Sequence, residues 1–198
     1  MSIREDIARY VPYNEQEARD KALILDFLDR NADAFLRSNL LAHMTASAWV
    51  VNAARDRVLM VYHRIYDSWS WTGGHADGDE DLLSVAMREV REETGVRSVR
   101  PVSEEIYSLE ILTVDGHEKR GEYVPSHLHL NLTYLLEADE RDALRVCEAE
   151  NSGVRWFTLD GALKASTEPW FVERIYKKLN EKLKQADAPD DLSGIKPL

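Results

Sequence analysis

The chain has 198 residues, of which 44% are hydrophobic and 31% charged, and its formal net charge is −11. That length fits one domain of ordinary size with a short extension, and the apolar share excludes disorder over most of it. So acidic a balance excludes the extended basic footprint that nucleic acid requires, leaving small molecules as the expected partners.

In chain order, Asn14 to Arg30 carries apolar residues at helical spacing, and Ala32 to Leu41 reads as a second, shorter helix. Ala46 to Val51 and Val58 to His63 read as strands joined through residues 52–56. Tyr66 to Gly74, rich in Trp, Ser and Gly, reads as a loop with a short strand. Asp81 to Thr94 is the strongest helix: acidic residues open it, and Gly95 stands where a left-handed cap is wanted. Val102 to Val114, Leu128 to Leu136 and Val154 to Leu159 read as strands. Leu159 to Lys164 reads as a helical turn and Glu168 to Gln185 as a long charged helix. The expected organisation is a helical extension over residues 1–41, a domain over 42–185, and a tail over 186–198. Strands on both sides of a central helix predict an α/β fold with a mixed sheet covered by helices.

No apolar run reaches membrane-spanning length, and the polar start Met1–Asp6 is unlike a signal peptide, so a cytoplasmic protein without a membrane partner is expected. Cys147 is the single cysteine, which leaves neither an internal disulfide nor a thiolate metal site.

Chemistry concentrates between Gly74 and Val96. At about 100° per residue, Glu89, Glu92 and Glu93 fall within an arc of roughly 100°. The stripe of Leu82, Leu83, Ala86, Met87 and Val90 lies beside that arc. Like charges at these spacings destabilise a helix by a few tenths of a kcal/mol per pair, a cost offset where a hard cation binds between them. Oxygen ligands on a rigid helix suit Mg²⁺, and the same cluster also fits a plain solvated acidic face.

The spacing separates these readings. Gly74, Glu80, Arg88, Glu89, Val90, Glu92, Glu93, Gly95 and Val96 fill every specified position of Gly-x5-Glu-x7-Arg-Glu-U-x-Glu-Glu-x-Gly-U, with U bulky and aliphatic. A chance match at a given site is on the order of one in a billion. The segment therefore resembles the signature of the Nudix (MutT-like) hydrolase family. That resemblance implies an α/β/α sandwich and a Mg²⁺-dependent enzyme, with Mn²⁺ as a substitute. It implies hydrolysis of a diphosphate linkage in a nucleoside diphosphate derivative, NDP-X plus water giving NMP and phospho-X, by metal-activated water. Glu89, Glu92 and Glu93 match metal-binding carboxylates, Glu89 doubling as a base in some members. Arg88 matches the arginine that holds them, while Gly74, Glu80 and Gly95 match structural positions.

Outside the signature, Glu150 is the choice for a further metal carboxylate, since Glu150 to Phe157 resembles the family's acidic loop leading into a Trp-containing strand; Glu148 and Glu122 are rivals, and a solvated loop glutamate is the alternative. His127, His129, Asn131 and Thr133 alternate with leucines, so they share one face, which lines either a substrate cleft or solvent. Trp69 and Trp71 are candidates to stack on a base, with core packing as the alternative. His75 is a further substrate candidate, and Lys119–Arg120 a candidate grip on a terminal phosphate. Two rivals share the fold: a nucleotide sensor without turnover, which commonly lacks box carboxylates, and isopentenyl diphosphate isomerase, which needs a cysteine far from Cys147. Monomer and homodimer are both open.

Overall fold

A computed structural model describes residues 2–119 and 121–186. Two helices open the chain, α1 (Ile3–Arg9) and α2 (Glu15–Arg30). The first was not expected; Ser2 and Glu5 form a reciprocal capping box and bury Ile3 and Ile7 one turn apart. Residues 32–41, expected as a helix, form successive turns instead. The Asn39 side-chain oxygen takes the backbone N–H groups of Leu41 and Ala42. The carbonyls of Ala34 and Phe35 accept from Met44 and Gly78. Short polar side chains and outside donors thus claim the groups a helix would have paired.

Eight of the strands join in one mixed sheet, ordered β10 (Asn151–Thr158), β2 (Arg57–His63), β1 (Ala42–Val51), β9 (His127–Glu137) and β5 (Arg100–Pro101). β3 (Ser68–Ser70) pairs β2, β4 (Thr72–His75) pairs β1, and β6 (Ser108–Val114) pairs β9. The β1–β9 pair is parallel and the remaining pairs are antiparallel. The strand expected over 102–114 begins only at Ser108. From Pro101 to Ser108 the chain takes seven steps while β9 takes three from Leu136 to Thr133, so four residues bulge out of the ladder. A separate hairpin, β7 (His117–Lys119) with β8 (Glu122–Val124), follows. Lys119 ends β7, and Arg120 lies outside the described residues, as does the expected tail beyond residue 186.

The central helix α3 (Leu82–Thr94) packs Leu82, Val85, Ala86 and Val90 with Met44, Ala46, Leu130 and Leu132 on one sheet face. The other face holds Trp49, Met60, Trp71 and Leu135 against α4 (Leu159–Ala165) and the C-terminal helix. That last helix runs from α5 (Pro169–Phe171) through a π turn (Val172–Tyr176) into α6 (Lys177–Ala186). Among the described residues no helix is long and apolar enough to cross a membrane.

Helices α2 and α6 meet at the edge strand β6. Lys178 of α6 lies 2.8 Å from Glu17 of α2 and 2.8 Å from Glu110 of β6, and all three are buried. Ser108 donates to Glu17 at 2.8 Å, and Asp20 accepts the edge N–H of Ile111 at 3.1 Å, which blunts that edge. Burial opposes the charge on Lys178, but Glu110 and Glu17 outweigh it and hold the ammonium pKa above its ordinary value. Burial likewise opposes the Glu17 carboxylate, and Lys178 together with Tyr10 and Tyr13 outweighs it, holding the pKa below 4.5.

Replacing Lys178→Met leaves two buried carboxylates with only Lys182, 3.9 Å from Glu17, in reach. Unfolding in urea at neutral pH is expected to show a loss of roughly 3–5 kcal/mol. In the wild type Glu17 contributes stability above about pH 4.5 that is lost as pH falls through its lowered pKa. In the variant, protonation relieves repulsion, so the deficit should shrink between pH 7 and 5. An unchanged deficit across that range would show that no charge coupling operates here.

Candidate active site

The helix that carries the acidic cluster is fixed at both ends by its own sequence. The Asp81 side chain accepts from the Ser84 N–H at 3.0 Å, and Gly95 closes the helix at φ 76°. Burial of Leu82, Val85, Ala86 and Val90 sets the rotation. Glu93 is thereby driven inward, Glu89 is half-buried, and Glu92 stays exposed.

Glu93 Oε1 accepts from the Gly73 N–H at 2.9 Å. At Gly74 an added Cβ would stand 2.4 Å from Glu89 Cδ, so the absent side chain is the space that the Glu89 carboxylate occupies. Glu150, exposed on the loop before β10, completes the group: Glu89, Glu93 and Glu150 each offer an oxygen within 4.8 Å of the others. Glu92 is not part of this set among the described residues.

A residue that the sequence reading passed over holds the loop in place. Asn151 is fully buried, donates to the Glu93 backbone carbonyl at 2.9 Å and accepts from the Cys147 N–H at 3.2 Å. Its side chain ties the loop bearing Glu150 to the end of α3. An asparagine directly after a candidate acidic ligand was the available signal. Cys147 is half-buried at the root of that loop.

Electrostatics mark the cluster as under-compensated. Burial, then Glu92 and Glu150, push the Glu89 carboxyl up to about 7. Burial raises Glu93 well above the usual carboxylate range, against the opposing hydrogen bond from Gly73. Arg88 lies near enough to Glu89 to oppose its shift, yet its ion pair, at 3.4 Å, is with Asp79. Glu80 is exposed in the loop ahead of the helix.

The substrate candidates separate. Asn131 is buried and engaged with Thr45, Ser47, Glu110 and Thr133 in a network that continues to Lys178. Trp71 is buried against Phe171 and Tyr176, and half-buried Trp69 packs edge-on to Tyr62 and Phe157. His127, His129 and His75 come together with His43 at one end of the sheet. His43 escaped the sequence reading because its place depends on the register of β1 against β9, where it pairs with His129.

Converging carboxylates on a glycine-flanked helix, set on a mixed sheet between helices, define a site suited to divalent-cation chemistry on phosphates. Residues 41–179 match the NUDIX domain family, and the chain belongs to the Nudix hydrolases, enzymes that generally use divalent metals. A protein of Lactococcus lactis subsp. cremoris named "Probable DHNTP pyrophosphohydrolase" is 24% identical over 127 residues, covering 64% of this chain and 74% of that protein. A C. elegans Ap4A hydrolase structure covers 72% of this chain and 96% of its own at 19% identity, with TM-score 0.52. A NUDIX hydrolase from Nitrosomonas europaea covers 78% and 96% at 18% identity, also with TM-score 0.52. These two structures share the fold.

The two glycines should respond differently to alanine. At Gly73 a Cβ would meet the Ala46 carbonyl oxygen at 2.7 Å and the Ser47 Cα at 2.9 Å, both strand backbone, so Gly73→Ala is expected to lose about 1–3 kcal/mol on denaturation. At Gly74 it meets only the end of a side chain, so Gly74→Ala should keep the fold within about 1 kcal/mol while displacing Glu89 and lowering activity. Full activity in Gly74→Ala would overturn the role given to Glu89.

Proposed function

We propose that this protein hydrolyses a diphosphate linkage in a nucleoside diphosphate derivative, releasing a nucleoside monophosphate and a phosphorylated second product, with Mg²⁺ or Mn²⁺ as cofactor. The observation that carries the reading is the convergence of Glu89, Glu93 and Glu150 at one point beside the glycine pair. The similar protein named a pyrophosphohydrolase supports cleavage at a pyrophosphate. The residues fit a hard divalent cation: all three donors are carboxylate oxygens, burial and neighbouring carboxylates raise two of them, and Arg88 and Arg37 are ion-paired with Asp79 and Asp77.

In this reading Glu89, Glu93 and Glu150 hold the cation, with Glu92 at the exposed rim. When bound, the cation supplies Lewis-acid polarisation of a phosphoryl oxygen and lowers the pKa of water. The Gly73 N–H fixes one oxygen of Glu93 and leaves the other for ligation. The Glu89 oxygen that does not hold the cation would take the proton from the attacking water. Arg88 steadies Glu89 electrostatically and anchors the loop through Asp79. Asn151 keeps Glu150 in reach.

Assay of a panel of nucleoside diphosphate derivatives with Mg²⁺, reading phosphate after phosphatase treatment, tests the reaction. Glu93→Gln is expected to lower kcat by about a thousandfold or more, with Glu92→Gln less damaging because that side chain stands outside the group. Wild-type turnover in Glu93→Gln would sink the site; no turnover on any diphosphate would sink the reaction. Proton competition gives a second check. Below about 7 Glu89 is protonated, and the raised Glu93 competes for a proton as well, so Mn²⁺ affinity followed by electron paramagnetic resonance should fall at least tenfold per pH unit there. A flat profile between pH 8 and 6 would exclude Glu89 as a ligand.

A further inference from the structure

A second group of ligating side chains lies at the end of the sheet, outside the carboxylate site. His43 opens β1, His75 closes β4, and His127 and His129 open β9. Parallel pairing sets His43 beside His129, and antiparallel pairing sets His75 beside Thr45, so strand register alone gathers four imidazoles from three strands. Each ring offers a nitrogen within 4.8 Å of the other three.

The rings are arranged radially. Five ring pairs have centroid separations of 5.1, 4.9, 5.1, 4.9 and 5.0 Å, with interplanar angles from 29° to 85°. Four imidazoles around one tetrahedral ion at a metal–nitrogen distance of about 2.05 Å would have centroids about 5.2 Å apart. A stack of rings packed for their own sake would not bring nearly every pair to the same distance.

Proton placement points the same way. His43 Nδ1 lies 3.1 Å from the Asn39 carbonyl oxygen, and His127 Nδ1 lies 2.9 Å from that of Pro125. A carbonyl accepts only, so both rings carry their proton on Nδ1 and present a bare Nε2 lone pair, the second-sphere pattern that orients a metal-binding histidine. His43 is 4% exposed, and its Nε2 is buried with no hydrogen-bond partner. His127 Nε2 faces His129 Nε2 at 3.1 Å, close to the edge of about 3.3 Å that a tetrahedral nitrogen site requires.

We propose that His43, His75, His127 and His129 bind one zinc-class divalent ion in a four-coordinate nitrogen site, separate from the carboxylate site. Neutral imidazoles select this class and disfavour Mg²⁺, which takes oxygen ligands. The ion would tie β4 to β9 across the intervening β1. His75 directly follows Gly73 and Gly74, on whose backbone Glu93 and Glu89 rest, so the clamp also fixes the floor of the carboxylate site.

The test uses full-length, tag-free protein stripped with a chelator and titrated with Zn²⁺ against a chromophoric competitor. One tight equivalent is expected, retained in Glu89→Gln/Glu93→Gln and weakened at least a hundredfold in His127→Ala/His129→Ala. Absence of a tight equivalent in the wild type overturns the proposal, as does an equivalent that survives the histidine change and disappears with the carboxylates. Should the histidine variant fail to fold, Co²⁺ added to the stripped wild type decides. Strong visible bands of a tetrahedral nitrogen site support the proposal, and the weak bands of an octahedral oxygen site refute it.

Discussion

The parallel pairing of β1 with β9 is the constraint on which the molecule is built. Ten residues of each strand stay in register, from Ala42 beside Leu128 to Val51 beside Glu137. Side chains in register point to the same face, so the pairing sorts two strands at once. Ala42, Met44, Ala46 and Ala48 join Leu130, Leu132 and Tyr134 as the apolar bed beneath α3. His43, Thr45 and Ser47 join His129, Asn131 and Thr133 as a polar strip on the opposite face, which becomes apolar again at Trp49 and Leu135. A parallel pair also demands a long crossover, and the chain between these strands contains the acidic helix. The same pairing therefore places the helix, the histidine group and the buried ionic network.

Two acidic clusters show how differently one fold can treat like charges. Glu17 and Glu110 are buried with a lysine between them, and hydrogen bonds from Ser108, Tyr10 and Tyr13 satisfy the remaining lone pairs of Glu17. That group holds its own cation, and against burial Lys178 lowers the Glu17 pKa. Among the described residues no cation is ion-paired with Glu89, Glu93 or Glu150, and burial with neighbouring carboxylates raises both helix carboxylates. Desolvated like charges left uncompensated are what a ligand of opposite sign would relieve. The contrast within a single chain separates an ionic staple from a reactive site better than the count of acidic residues does.

Legibility followed the range of the interaction. The acidic helix was readable because its stripe, carboxylates and C-cap lie within one segment; Gly95 caps it as expected, and Asp81, read as its first residue, is its N-cap. The alternation of β9 was readable for the same reason, and the strand extends just one residue beyond each expected end. What the polar row faces was not readable, since Asn131 meets Ser47 and Glu110 from strands distant in sequence. The short α1 depends on one capping box, and the turns over 31–41 on contacts with Met44 and Gly78 that no local pattern announces. Among the carboxylates, only packing decides that Glu93 turns inward while its neighbour Glu92 remains in solvent.

The Glu17–Lys178–Glu110 network also orders events during synthesis. Glu17 leaves the ribosome before Glu110, and the lysine that pairs with both follows last of the three. Until Lys178 emerges, docking α2 against β6 would bury two carboxylates with no cation, a state that desolvation disfavours by several kcal/mol. The nascent chain can assemble the sheet and the acidic helix while its first helices wait undocked. Docking of α2 on β6 thus waits for a residue 161 positions beyond Glu17.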